Sequence, residues 1–328
     1  MLKTITSTKG ALDLKRFSKY RVGGKESKDR KRGFALLTYG DTGVGKTMGL
    51  FEIGRFLWEY QQRPCIVFSN EGQKTVNNAE QYSDIYPDFP LYVVELDPGK
   101  TIWGRVTHLE TEIKRLNAQL KKQPKSLVTV GLDSATGVWG DLIDWLTYSP
   151  EISRQKVRHT LPDGTVEESY SPMPTEWRKA TKRFEDILKN LSHHQSMFFN
   201  YTARPKLDRD MKTIIGASLD SKYFGVHYAT MIIKGKLGDK GRLWTLEKLD
   251  MLAKGAKGQL VGWTAKKKRK ARGYLNFKIV NKLANAAMGI DLKQYLETGG
   301  DVDSTEEGEK TETKTIESGK PVPDISGQ

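Results

Sequence analysis

The residues with the clearest chemistry lie at positions 40–47, where the sequence reads G-D-T-G-V-G-K-T. This is the G-x-x-x-x-G-K-[ST] pattern of a phosphate-binding loop between a strand and a helix. Glycines let the backbone turn so that successive N–H groups point at a phosphate, and the helix that follows adds its positive end. We therefore predict a nucleotide site formed by Gly40, Asp41, Thr42, Gly43, Val44, Gly45, Lys46 and Thr47.

Two side chains of this loop predict particular contacts with a nucleoside triphosphate. Lys46 is expected to reach the β- and γ-phosphates, and the Thr47 hydroxyl is expected to bind Mg²⁺. A second metal ligand is predicted at Asp133, because the apolar run 127–132 predicts a strand that ends at this carboxylate. The expected cofactors are therefore ATP and Mg²⁺, with the metal held by Thr47 and Asp133.

Hydrolysis of a triphosphate also needs a group that positions or activates water. Many ATPases place a glutamate directly after the metal-binding aspartate, but in this sequence that position is Ser134. The other common position is the end of the strand beside the phosphate-loop strand. Glu71 follows the predicted strand 65–69, and so we predict Glu71 and Lys46 as the catalytic residues.

Strands and helices alternate around these residues. Short apolar runs predict strands at 34–39, 65–69, 91–96, 127–132 and 197–202, and helical spacing of apolar residues predicts helices at 47–60, 101–122, 138–146 and 175–191. Such alternation implies right-handed crossovers and a mostly parallel sheet covered by helices on both faces. The expected fold class is therefore α/β, with three layers.

Other segments of the chain depart from this rhythm. Residues 147–174 predict an inserted loop or hairpin, since Asp163-Gly164 is a typical turn pair. Further strands are predicted at 229–234, 242–248 and 274–280, with a short helix near 291–297. We divide the chain into a basic arm (1–33), an ATPase core (34–250), a small β-rich basic extension (251–298) and an acidic, disordered tail (299–328).

The charge of the chain is large and uneven. The whole sequence carries a net charge of +14, and since residues 301–328 carry −5, residues 1–300 carry +19. The high positive charge of residues 1–300 favours a polyanionic partner, and nucleic acid is the first candidate. The acidic tail is expected either to compete for the basic surface or to recruit a protein partner.

The densest run of positive charge predicts the nucleic-acid contact. It consists of Lys266, Lys267, Lys268, Arg269, Lys270 and Arg272, and it lies between Trp263 and Tyr274. Cationic grooves with aromatic platforms bind single strands without sequence preference. For the two aromatic residues, ordinary packing within the fold is the alternative to stacking on bases.

The motifs together resemble a known family. G-D-T-G-V-G-K-T, a strand ending in N-E-G, then V-T-V-G-L-D-S and F-F-N-Y-T-A-R are similar to the RecA-like P-loop ATPase core, over roughly residues 33–235. The similarity is greatest to phage-encoded single-domain RecA-like ATPases of single-strand annealing and recombination. It implies an Mg²⁺-dependent ATPase that acts on DNA, with single strands as the favoured substrate, in recombination or replication.

The resemblance also implies a polar sensor at the end of the strand 197–202. Asn200 and Thr202 are the candidates for it, and Arg204 is a candidate for contact with the γ-phosphate, either within the chain or across a subunit boundary. The relatives often carry a histidine segment where this chain has Arg204-Pro205-Lys206. Arg204, Lys206 and Arg209 therefore have DNA contact as an alternative role.

Two other functions use the same loop. A small-molecule kinase requires a lid with convergent arginines, for which the 147–174 insertion offers Arg154 and Arg158. A DNA packaging or partition ATPase usually has glutamate where this chain has Ser134. The sequence shows no signal-peptide pattern and no apolar run of membrane-spanning length, and Cys65 is the only cysteine. These features predict a cytoplasmic protein, and assembly with further copies of the chain is an added expectation.

Overall fold

An eight-stranded sheet forms the centre of the protein. The structure, a computed structural model, describes residues 33–97, 99, 103–123, 125–160, 162–192, 194, 196–204, 206–207, 213–214, 228–254, 260–262 and 269–298. The strands are β1 (Phe34–Gly40), β2 (Cys65–Ser69), β3 (Leu91–Glu95), β4 (Val128–Asp133), β5 (Arg154–Thr160), β6 (Val166–Pro172), β7 (Met197–Ala203), β8 (Lys206–Leu207), β9 (Thr213–Ile214), β10 (Met231–Gly238), β11 (Gly241–Leu249), β12 (Leu252–Lys254), β13 (Leu260–Gly262) and β14 (Lys270–Arg272). The helices are α1 (Lys46–Gln61), α2 (Gln73–Ile85), α3 (Gly104–Lys122), α4 (Ala135–Tyr148), α5 (Pro174–Ser192), α6 (Phe277–Met288) and α7 (Leu292–Thr298).

The order of strands determines which residues meet at the edge of the sheet. From one side to the other it is β3-β2-β4-β7-β1-β10-β11-β14. In this spatial order, the strands β3, β2, β4, β7, β1 and β10 run parallel to one another. Strand β11 pairs antiparallel with β10, and β14 pairs antiparallel with β11. The carboxyl ends of β2, β4, β7 and β1 therefore lie side by side. This arrangement confirms the predicted α/β class with a mostly parallel sheet.

The central strands are buried on both faces. Every residue of β1, β4 and β7 is buried, and their sequences are FALLTYG, VTVGLD and MFFNYTA. A strand covered on both sides needs apolar or small residues at nearly every position rather than an alternating pattern. The edge strand β3 is only partly buried. The continuous apolar runs in the sequence thus correspond to the strands at the centre of the sheet.

Helices cover both faces of the sheet and complete three layers. On one face, α3, α4 and α5 share a cluster that includes Leu109, Leu142 and Leu188. On the other face, α1 packs with α6 in one cluster and with α2 in a second. The predicted three-layer architecture is therefore confirmed. In the described part of the chain no helix has both the length and the apolarity needed to cross a membrane.

One helix, α2, is absent from the predictions. It begins two residues after Glu71 and buries only Thr75, Ala79 and Tyr82. These positions have the spacing of one helical face, but threonine and alanine are too small and too weakly apolar to make that face visible in the sequence. The rest of the helix is polar and faces solvent. This omission matters, because Thr75 contributes to the site described below.

The insertion between α4 and α5 is a hairpin, as predicted. Strands β5 and β6 pair antiparallel from Arg154 opposite Pro172 to Thr160 opposite Val166. At the turn, Gly164 has a φ of 86°, and the carboxylate of Asp163 accepts a hydrogen bond from the Thr165 N–H at 2.9 Å. An Asp-Gly pair favours this turn because it tolerates positive φ.

The C-terminal segment differs from the prediction in two respects. The strand predicted at 274–280 is wrong, because Asn276 caps α6 by accepting a hydrogen bond from the Ile279 N–H at 3.0 Å. In addition, β14 pairs with β11 and α6 packs in the same cluster as α1, so a boundary at residue 250 does not separate 269–298 from the core. The predicted tail 299–328 and residues 1–32 of the predicted arm lie outside the described residues.

Candidate active site

The predicted phosphate loop joins the end of β1 to the start of α1. Gly40, Gly43 and Gly45 have φ angles of 141°, 79° and 94°. Residues other than glycine rarely adopt these positive backbone angles. Gly40 is also tightly enclosed, because a Cβ atom there would lie 2.0 Å from the backbone oxygen of Gly235 on β10. The loop conformation therefore depends on glycine at this position.

Lys46 lies inside the loop. Its Nζ donates hydrogen bonds to the backbone oxygens of Gly40 and Asp41, at 2.8 and 2.9 Å. Burial lowers the pKa of the Lys46 ammonium group below its usual value, and the Asp133 carboxylate opposes that shift. A partly buried ammonium group at the mouth of a glycine loop is suited to bind phosphate oxygens. The residues present therefore fit a nucleotide phosphate chain.

The Asp133 carboxylate is surrounded by three threonine hydroxyls. Its Oδ2 accepts hydrogen bonds from Thr47 at 2.8 Å and from Thr75 at 3.1 Å. Its Oδ1 accepts a hydrogen bond from Thr202 at 2.6 Å. The residue is only 4% exposed, so these bonds fix the orientation of a charged group with little access to water.

This set of oxygen atoms fits a magnesium ion. Mg²⁺ prefers carboxylate and hydroxyl oxygens, and in phosphate sites it keeps several waters and binds substrate phosphates. Thr47 and Asp133 are hydrogen-bonded to one another, as the prediction of a shared metal requires. Thr75 has no counterpart in the sequence prediction, because it comes from the helix that the pattern did not show.

Glu71 and Arg204 meet at the same edge. One oxygen of the Glu71 carboxylate accepts a hydrogen bond from the Ser134 hydroxyl at 2.9 Å, and the other forms an ion pair with the Arg204 guanidinium group. Ser134 directly follows Asp133. The sheet therefore brings together the ends of β2, β4 and β7, with Glu71 beside the predicted metal ligand.

Asn70 ties this edge to two helices. Its Oδ1 accepts a hydrogen bond from the Ser134 N–H at 3.0 Å, and its Nδ2 donates to Asp141 of α4 at 3.4 Å. Asp141 also pairs with Arg105 of α3 at 3.2 Å. Burial raises the pKa of Asp141, while its bonds to Asn70 and Arg105 oppose that shift. Asn70 is a positioning residue that the sequence reasoning quoted only as part of a motif.

The three predicted sensor residues differ in their contacts and in their depth in the structure. Thr202 contacts Asp133, and Arg204 contacts Glu71, while its N–H donates to the Thr136 hydroxyl at 2.8 Å. Asn200 lies deeper in β7 and is fully buried, and within the described residues its side-chain amide has no hydrogen-bond partner. A sensor role for Asn200 is therefore not supported by its position. Thr202 and Arg204 are at the site.

The predicted nucleic-acid residues are described only in part. Lys266, Lys267, Lys268 and Trp263 lie outside the described residues. Arg269 precedes β14, Lys270 is exposed on this edge strand, and Arg272 ends it. Tyr274 lies two residues further, beside Arg242 of β11. Contact of this run with nucleic acid stays a prediction.

The sheet order, the glycine loop and the residues at the carboxyl edge define a P-loop nucleotide-binding α/β fold. No protein-family model matches the sequence, and no curated protein matches it. Among solved structures, the KaiC-like protein PH0186 from the hyperthermophilic archaeon Pyrococcus horikoshii OT3 is similar, with 12% sequence identity and a TM-score of 0.38. The match covers 66% of this chain and 80% of that chain. The fold assignment rests on the strand order and the loop geometry given above.

Proposed function

We propose that this protein is an Mg²⁺-dependent ATPase that acts on DNA, with single strands favoured, in recombination or replication. The ATPase activity in this proposal is supported by one observation. Four side chains converge at one edge of the sheet: Glu71, Asp133, Thr202 and Lys46. A phosphate loop, a metal-binding carboxylate and a second carboxylate are the parts that triphosphate hydrolysis requires.

Each residue has a distinct role in this proposal. Lys46 and the loop N–H groups bind the phosphates, and the oxygens of Thr47 and Asp133 would hold Mg²⁺, which would neutralise charge on the β- and γ-phosphates. Glu71 orients a water molecule and accepts its proton. The water oxygen bonds to the γ-phosphorus as the bond from that phosphorus to the β–γ bridging oxygen breaks, which releases ADP and phosphate.

Arg204 supplies the positive charge on the γ-phosphate side. Its guanidinium group is paired with Glu71 and its side chain is 59% exposed, so it lies at the mouth of the site and can reach a phosphate there. Arginine is suited to this task because its planar group binds phosphate oxygens in pairs. In this role Arg204 stabilises charge that develops on the transferred phosphoryl group.

The DNA half of the proposal is supported by charge. Residues 1–300 carry +19, and Lys270 places one cation of the basic run on an exposed edge strand. Neutralising phosphates with lysine and arginine releases counterions, and this release drives binding to nucleic acid.

The kinase alternative is weakened by the hairpin. Arg154 uses its guanidinium group to donate to the backbone oxygens of Thr147 and Ser149 at 2.8 and 3.0 Å. Arg158 pairs with Glu168 across the hairpin at 3.1 Å. A lid needs arginines that converge on the substrate phosphates, whereas these two are engaged within the insertion and at its base.

An ATPase assay with and without single-stranded DNA tests the proposal. Lys46→Ala should abolish nucleotide binding, and Glu71→Gln should retain binding but lose turnover by about 10²-fold or more, as expected for loss of a general base. Single-stranded DNA should stimulate the unsubstituted protein, and the logarithm of DNA affinity should fall linearly with the logarithm of salt concentration. Full turnover in Glu71→Gln would refute the catalytic assignment, and phosphate transfer to a metabolite without any effect of DNA would favour the kinase.

A further inference from the structure

The phosphate loop has two flanks, and the residues discussed so far occupy only one. β1 lies between β7, which carries Thr202, and β10. On the β10 side, the Leu237 N–H donates to the Asp41 carboxylate at 3.0 Å. The β10–β11 turn is therefore fixed against the loop on the side away from Glu71.

Arg242, the second residue of β11, extends along this second flank. A Cβ atom on Gly45 would lie 3.5 Å from the Arg242 Nε, so the guanidinium group borders the loop directly. This Nε is buried, and in the described segments it has no hydrogen-bond partner. Its Cζ lies 4.1 Å from the centre of the Tyr274 ring. Arg242 thus places a flat cation beside the predicted phosphate loop.

Tyr274 is fixed in place by its neighbours in the chain. The N–H of Gly273 donates to the backbone oxygen of Arg242 at 3.1 Å. Leu275 packs so closely on α1 that a Cβ atom on Gly49 would lie 2.5 Å from its side chain. The Tyr274 ring is nevertheless 38% exposed. An aromatic ring in a fixed position therefore stands open to solvent near the first turn of α1.

We propose that Arg242 and Tyr274 form the nucleoside end of the nucleotide site. A triphosphate in the loop directs its γ-phosphate toward Glu71 and Asp133, so its sugar and base leave the loop on the opposite flank. The stacked guanidinium and phenol groups there provide a flat surface for the base. This inference rests on the proposed function, and it assigns Tyr274 to ATP instead of a DNA strand.

Comparison of a nucleotide with a phosphate chain that has no base tests this assignment. The two probes are a non-hydrolysable ATP analogue and inorganic tripolyphosphate, each measured by calorimetry with Mg²⁺. Tyr274→Leu should lower the affinity for the analogue about tenfold, as expected for loss of one base–aromatic stack. It should leave the affinity for tripolyphosphate unchanged. Arg242→Lys should likewise weaken binding of the analogue and leave binding of tripolyphosphate unchanged, because lysine keeps the positive charge but lacks the planar guanidinium group. Tyr274→Phe keeps the ring and should retain affinity.

A matched control is Tyr170→Leu, which removes an exposed tyrosine from β6 and should leave both affinities unchanged. Unchanged binding of the analogue in Tyr274→Leu would overturn the inference while leaving the ATPase proposal intact. Equal weakening of both probes would overturn it too, since the effect would then come from the loop itself. Loss of oligothymidylate binding with ATP binding retained would assign Tyr274 to the DNA strand. Absence of nucleotide binding in the unsubstituted chain would overturn both proposals.

Discussion

The hydroxyl of Thr202 offers a direct test of how Asp133 is held. Thr202 is fully buried on β7, and it provides the hydrogen bond that Asp133 Oδ1 accepts at 2.6 Å. Thr202→Val keeps the shape of the side chain and removes this donor. The carboxylate oxygen is then left without that partner in a site that is only 4% exposed.

The expected loss of stability follows from that unmet hydrogen bond. Leaving a buried polar group unsatisfied costs about 1–3 kcal/mol, and more where the group is charged. For a domain of this size a loss of 1 kcal/mol lowers Tm by about 2–4 °C. Thr202→Val should therefore lower Tm by about 2–12 °C, and it should also weaken Mg²⁺-dependent nucleotide binding, since the metal ligand is less well oriented. Far-UV circular dichroism and calorimetry measure the two effects.

The neighbouring strand provides a matched control. Thr38 lies on β1 directly opposite Thr202 and is also fully buried, but its hydroxyl has no hydrogen-bond partner among the described residues. Thr38→Val removes an unsatisfied polar atom, so it should leave Tm unchanged or raise it. Equal effects of the two substitutions would refute the reasoning, because they would show that the Asp133 contact contributes nothing.

Two further predictions concern the loop and the γ-phosphate side. Gly40→Ala should cost at least about 3 kcal/mol of stability and abolish nucleotide binding, because its Cβ would meet the Gly235 oxygen. Gly140→Ala in α4, where a Cβ meets nothing within 4 Å, should instead be stabilising in a urea titration; the reverse order of stability would contradict the loop geometry. Arg204→Ala should lower turnover by about 10³-fold or more while ADP affinity stays within about twofold, and Arg204→Lys should not restore it. Turnover in Arg204→Ala close to that of the unsubstituted enzyme would exclude a role in phosphoryl transfer.

Local features of the site could be predicted from the sequence. The phosphate loop is contiguous, and its glycines, lysine and threonine have roles that depend on neighbours in the chain. Asp133 and Glu71 were found because each lies at the carboxyl end of a buried strand, and the carboxyl ends of parallel strands meet at one edge. The central strands could also be predicted, because burial on both faces requires a continuous apolar sequence.

Residues that act through distant contacts were missed. Thr75 reaches Asp133 from a helix whose buried face is too small to give a periodic signal. Arg242 was missed as well, because it meets Tyr274 only where β11, β14 and α6 fold back onto α1. Asn200 has a suitable side chain in a suitable strand, but it lies two residues before Thr202 on β7 and is fully buried.

The position of β1 in the sheet has a consequence for the order in which the protein can form during synthesis. Its two neighbours, β7 and β10, begin at Met197 and Met231. A ribosome must therefore complete most of the described chain before the strand leading to the phosphate loop has both of its pairing partners. Pairing over such separations slows folding, because the loop-closure entropy is lost before the contacts form. The nucleotide site can thus be completed only after β10 has been synthesised, well after its own motif.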